Sequence, residues 1–266
     1  MSTTEIASGG RAAGPRLIVT PFELRDYVLL LKWLILAGVA VVAFIAVWQF
    51  GLLEAMLRSD RSYISLAITL LFLGTSVHCA VGVVAVSREL NSARRVQRMV
   101  RQNPRDFHAT EDGVTVAGRP LLAGMMTEHI RNLILKSRGL TGRIDQSLLM
   151  RALADSLRSR LQVGWFISDG MFKLGLLGTL IGFILMLSPI NAIKTFDPLT
   201  MKAAMSTMSA GMAVALYTTL AGLVGGLLLR LQYYFLEAGT VELHSITAET
   251  TEVYVIPALR EAQDAS

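Results

Sequence analysis

Four stretches without a single Asp, Glu, Lys or Arg decide what this 266-residue chain can fold into: residues 33–53, 62–87, 174–193 and 203–229. Each is long enough to cross a hydrocarbon core about 30 Å thick as a helix rising 1.5 Å per residue. With 53% hydrophobic residues and a mean hydropathy of +0.51, a domain of this size cannot hide its apolar surface from water, so the solvent must be lipid. The expected fold class is an all-α, polytopic membrane protein with four transmembrane helices. The first apolar stretch is too long for a signal-peptide core and carries no A-x-A type cleavage site, so it is expected to be retained.

Orientation follows from the cations, because Lys and Arg resist translocation. Most of the 25 lie in the first 32 residues, in 88–165 and after 229, which predicts that both termini are cytoplasmic. The net charge of +5 sits mainly on these flanks, where it sets topology and meets anionic head groups. No aromatic-basic pattern accompanies it, so nucleic acid is not an expected partner. The one cysteine, Cys79, lies in a membrane stretch and is read as a small apolar filler.

The chain divides into five parts: a disordered cytoplasmic N-terminus (1–24), a first transmembrane hairpin (25–88), a basic cytoplasmic helical segment (89–165), a second hairpin (166–235) and a cytoplasmic helical tail (236–266). From Arg88 to Arg105 arginines alternate with Leu90, Val96, Met99 and Val100 at helical spacing, and Asn103-Pro104 should end that helix. The turn-rich residues 111–120 have room for at most one short strand. An amphipathic helix from about Thr141 should run unbroken into the third membrane helix, and the fourth should likewise extend past the bilayer. The tail is acidic (Glu237, Glu242, Glu249, Glu252, Glu261); it either packs on that basic rod or stays solvated.

Chemistry concentrates in the second hairpin. Its first helix carries Gly175, Gly178 and Gly182, and its second Gly211, Gly222 and Gly226. Small residues three and four apart form strips along which membrane helices approach closely, although such spacing is common in membrane helices of every function. Hydroxyls accompany the glycines: Thr179 on the first helix, and Ser209, Thr218 and Thr219 on the second. A hydroxyl in lipid needs a partner, whether water, an ion or a backbone carbonyl one turn earlier.

The run Gly175-Leu-Leu-Gly-Thr-Leu-Ile-Gly182 resembles the G-L-L-G-T-V-x-G signature of the MotA/TolQ/ExbB proton channel family. Ala215-Leu-Tyr-Thr-Thr-Leu-Ala-Gly-Leu223 resembles that family's A-L-x-x-T-x-x-G-L signature on the following helix. The resemblance covers about residues 140–235. It implies a ring-forming oligomer, a pentamer, around two copies of a single-span ExbD/TolR/MotB-like partner whose intramembrane Asp carries the ion, and work extracted from the ion-motive force in a motor stator or a similar energy-transducing machine. By that transfer Thr179 and Thr219, with Thr218 and Ser209, line the ion path. The chain itself has no Asp, Glu or His between Leu174 and Leu229 except Asp197 in a short loop, so a carboxylate would have to come from another chain. Arg94, Arg95, Arg98 and Arg101 either contact a cytoplasmic partner, as in the MotA branch, or form a solvated flank.

The chain departs from the pattern at Phe172-Lys173, where TolQ and ExbB members typically have a Pro, and at Val214, where they have a Glu. The departures leave proton or sodium open, and keep a non-conducting oligomeric scaffold as the alternative function. Lys173 at the helix mouth either snorkels to head groups or repels cations. His78, the ionisable residue deep in the first hairpin, is read as a hydrogen-bonding group between helices. No nucleophile set, phosphate loop or metal cluster is visible, so neither enzymatic activity nor a cofactor or metal is expected.

Overall fold

The computed structural model describes residues 28–49, 51, 63–103, 107–110, 113–116, 118–139, 145–192 and 197–264. The elements run α1 (Val28–Gln49), α2 (Ile64–Gln102), a small sheet of β1 (Phe107–Thr110), β2 (Gly113–Val116) and β3 (Arg119–Pro120), α3 (Met125–Gly139), α4 (Ser147–Leu187), α5 (Pro198–Thr250) and α6 (Ile256–Asp264). A 3-10 turn, Ser188–Ala192, follows α4, and a π-helical turn, Thr251–Val255, joins α5 to α6. Helices α1, α2, α4 and α5 are long and apolar enough to cross a membrane, so the chain is a mostly helical, multi-pass membrane protein.

The helix ends follow local chemistry. Asp145 accepts bonds from the Ser147 backbone N–H and hydroxyl, both at 2.9 Å, and α4 starts there. This is later than the expected start near Thr141, a position outside the described residues. Pro198 occupies the first turn of α5, where its fixed φ suits the helix and its missing N–H costs nothing. Glu89 of α2 accepts the Met125 N–H at 2.9 Å and so satisfies one of the donors that open α3.

The expectation of at most one short strand is corrected. β1 pairs antiparallel with β2, with Phe107 opposite Val116 and Thr110 opposite Gly113, and β2 pairs with β3. Gly118 has φ +70°, the left-handed conformation that lets the chain reverse between β2 and β3. Val114 and Val116 alternate onto one face and are buried. The sequence suggests no more than one strand because the apolar signal of residues 111–120 is only these two valines and Ala117.

Two cores stack along the long axis. At the charged end Val96 and Val100 of α2, Ile130 and Leu133 of α3, Leu157 of α4, Leu243 of α5 and Val255 and Leu259 enclose one with the sheet valines. In the apolar zone Ile68, Cys79 and Val83 of α2, Leu161 and Met171 of α4, and Leu229, Tyr233 and Leu236 of α5 make the second. The tail therefore joins the fold through an apolar stripe. Two of its acidic residues are pinned individually: Glu242 pairs with Arg94 of α2 at 2.6 Å, and Glu252 accepts a bond from Gln146 at the start of α4.

Candidate functional site: a threonine edge on the glycine hairpin

α4 and α5 lie antiparallel at backbone contact, and glycine makes that approach possible. A Cβ on Gly175 would lie 3.2 Å from the Cα of Gly222, and one on Gly222 would lie 2.8 Å from the carbonyl oxygen of Met171. One on Gly182 would meet the Ala215 backbone N at 2.6 Å, and one on Gly211 the Met186 backbone N at 2.5 Å. Gly226 faces the Phe172 ring, and its carbonyl accepts the Ser168 hydroxyl at 2.8 Å. At Gly175, Gly182, Gly211 and Gly222 the close neighbours include backbone atoms, so larger residues there cannot be absorbed by a side-chain shift alone.

The hydroxyls separate into different roles. Thr218 is 0% exposed and bonds to the carbonyls of Val214 at 2.9 Å and Ala215 at 3.1 Å on its own helix. Thr219 is half-buried; its hydroxyl lies 3.0 Å from the Ala215 carbonyl and 3.3 Å from the Gly175 carbonyl on the opposing helix. Thr179, on the rim of α4, bonds to the Leu176 carbonyl at 2.5 Å. Contacts of Gly175 and Gly178 with Thr218 and Thr219 put Thr179 and Thr219 at one depth. Ser209 is exposed and lies ten residues along α5 from Thr219, about 15 Å away by helical rise.

At 100° per residue, Thr179 and Thr219 fall on the same edge of the antiparallel pair. α1 and α2 lie against the other edge: Tyr217, Ala221, Val224 and Gly225 border the cavity that Ala43, Phe44, Ile68 and Phe72 wall from outside. The threonine edge therefore faces away from the first hairpin. Lys173 lies about 120° around α4 from Thr179; it pairs with Asp169 at 2.6 Å, and both side chains are exposed. Val214, at the family's Glu position, is 2% exposed.

Of the four arginines read as a partner contact, Arg94 is drawn into the ion pair with Glu242, whereas Arg95, Arg98 and Arg101 are exposed on α2. His78 Nδ1 lies 2.8 Å from the Tyr233 hydroxyl, and beside it Ser76 donates to Gln232 at 2.9 Å. Sequence reasoning passed over Tyr233, which is fully buried and lies over Gly164; a Cβ there would fall 2.1 Å from the ring. It also passed over His129 and His244, whose Nε2 and Nδ1 atoms are buried without a hydrogen-bond partner among the described residues. Gly164 and Tyr233 stand sixty-nine residues apart in sequence, and no local period announces such a pair.

No curated protein and no solved structure matches the chain. Residues 138–247, which hold both arms of the glycine hairpin and its threonine edge, match the model of the MotA/TolQ/ExbB proton channel family.

Proposed function

We propose that this protein is the ion-conducting subunit, with the proton as its ion, of an energy-transducing complex in the bacterial inner membrane. Five copies surround two single-span partners of the ExbD/TolR/MotB kind, the threonine edges face the partners, and both termini lie in the cytoplasm. The observation that carries the reading is the orientation of Thr179 and Thr219: one depth, one edge, opposite α1 and α2. In a closed ring the edge left bare by the first hairpin is the one available to a lumen. Thr218, with its hydroxyl enclosed on its own helix, serves packing in this scheme. Ser209 marks the far mouth.

The chemistry needs a titratable carrier, and the apolar zone of α4 and α5 holds only hydroxyls. An Asp from the partner supplies it; the hydroxyls hold water or the ion against that carboxylate and lower the cost of bringing charge into lipid. A charge crossing the membrane potential releases about 2.3 kcal/mol per 100 mV, which drives rotation of the partner helices against the ring.

The test is proton flux in vesicles reconstituted with the complex purified from native membranes, driven by a potassium diffusion potential and read by an internal pH dye. Thr179→Val with Thr219→Val keeps shape and removes polarity. Flux should fall at least about tenfold, equivalent to 1.4 kcal/mol on the barrier, while the assembled mass is unchanged. Undiminished flux would sink the proposed path, and assembly without flux in the unsubstituted complex would favour the scaffold.

A further inference from the structure

The seam where α1 lies over α2 and α5 contains a cavity at each end. The one at the charged end, about 280 Å³, has an apolar floor of Leu29, Leu90, Phe235 and Gly239, and Lys32, Arg94 and Glu242 at its walls. Lys32 is exposed and has no ion-pair partner among the described residues, while Glu242 holds the Arg94 guanidinium in place at 2.6 Å. The other cavity, about 360 Å³, is almost wholly apolar, with Ala43, Phe72 and Val224 in its walls. Both use one face of α5, since Val224, Leu228, Phe235, Gly239 and Glu242 recur at helical spacing. Phe235 and Val224 are eleven residues apart, about 16 Å by helical rise, close to the half-thickness of a hydrocarbon core, about 15 Å.

We propose that this seam binds one anionic phospholipid, its phosphate between Lys32 and Arg94 and an acyl chain in the apolar cavity. The charges favour this occupant. Among the described lining residues two cations, Lys32 and Arg94, stand with one carboxylate, Glu242, where a membrane helix begins, and basic pockets between membrane helices take anionic head groups. A chain one leaflet deep spans the distance between the cavities, where a free phosphate would leave the second one empty. The lipid thus fastens the first hairpin to the channel hairpin on the side away from the threonines.

The full-length protein in detergent is titrated with dioleoyl phosphatidylglycerol or dioleoyl phosphatidylcholine, and bound lipid per protomer is counted by native mass spectrometry. Phosphatidylglycerol should be retained at one per protomer and phosphatidylcholine released. Lys32→Gln should weaken retention about fivefold, the effect of one cation near an anionic head group. Ala43→Phe, which fills the apolar cavity, should weaken it too. Glu242→Gln should strengthen retention although it breaks an ion pair, a sign that a purely structural role for the pair cannot give. Equal retention of both lipids, or no change with Lys32→Gln, overturns the proposal. So does full competition by glycerol 3-phosphate, which would mark a soluble-anion site.

Discussion

Oγ1 of Thr218 occupies the space beside Gly178 so closely that a Cβ on the glycine would fall 2.3 Å from it. The threonine cannot turn away, because its hydroxyl is bonded to Val214 and Ala215 and it is fully enclosed. Gly178→Ala should therefore force α4 and α5 apart and cost about 1–3 kcal/mol, read as a lower apparent melting temperature of the detergent-solubilised protein. Adding Thr218→Ala should recover part of the loss, and simple additivity of the two would show that the sites are not coupled.

The two adjacent threonines should behave differently when each is replaced by Val. Thr218→Val removes a hydroxyl bonded only to its own helix, so flux in reconstituted vesicles should stay within about twofold, well below 1.4 kcal/mol. Thr219→Val removes the hydroxyl at the interhelical rim, near the Gly175 carbonyl, and should lower flux severalfold. Equal losses would mean that packing, not polarity, governs the site.

Burial lowers the pKa of His129 below its ordinary 6.5; the Gln146 bond opposes the shift and nearby His244 adds to it. The unfolded chain then binds a proton more readily than the native one. The stability due to the neutral ring is fully present above pH 6.5 and is lost as pH falls from there through the native pKa. Carboxylates on the neighbouring elements include Glu89 of α2, which accepts the Met125 N–H at the start of α3, Asp145 beside Gln146, and Glu252 on the π turn, which accepts from Gln146. Melting profiles of the wild type should fall more steeply between pH 6.5 and 5 than those of His129→Gln, and parallel profiles would refute the assignment.

The Arg94–Glu242 pair joins α2 to α5 with side chains 24% and 47% exposed. Solvent screens a pair so placed, and a double-mutant cycle to Ala should return no more than about 1 kcal/mol, shrinking with added salt. A coupling of several kcal/mol would show that the pair is shielded in the assembled protein.

The four membrane helices were legible because a run free of charge is a local property that the bilayer enforces. The same holds for the glycine strips, whose three- and four-residue spacing fixes a face whatever lies opposite it. What the sequence could not show is which hydroxyl lies where on that face. Thr218 and Thr219 are neighbours and read alike, yet one helical step of 100° encloses the first and leaves the second at the rim. The sheet escaped for a different reason: Val114 and Val116 bury against α3 and α2, and that contact is made by residues elsewhere in the chain. Tyr233 over Gly164 is another product of tertiary approach, as is the Arg94 partner on the tail.

α5 runs from Pro198 to Thr250 as 53 residues of unbroken helix, about 80 Å. A spine of that length has no hinge between the threonine edge and the buried Leu243 at its far end. Tilting or twisting imposed within the bilayer must therefore reappear, undiluted, at the foot where the sheet, α3 and the π turn gather. Under the proposed function, α5 would carry torque along a shaft rather than absorb it in a joint.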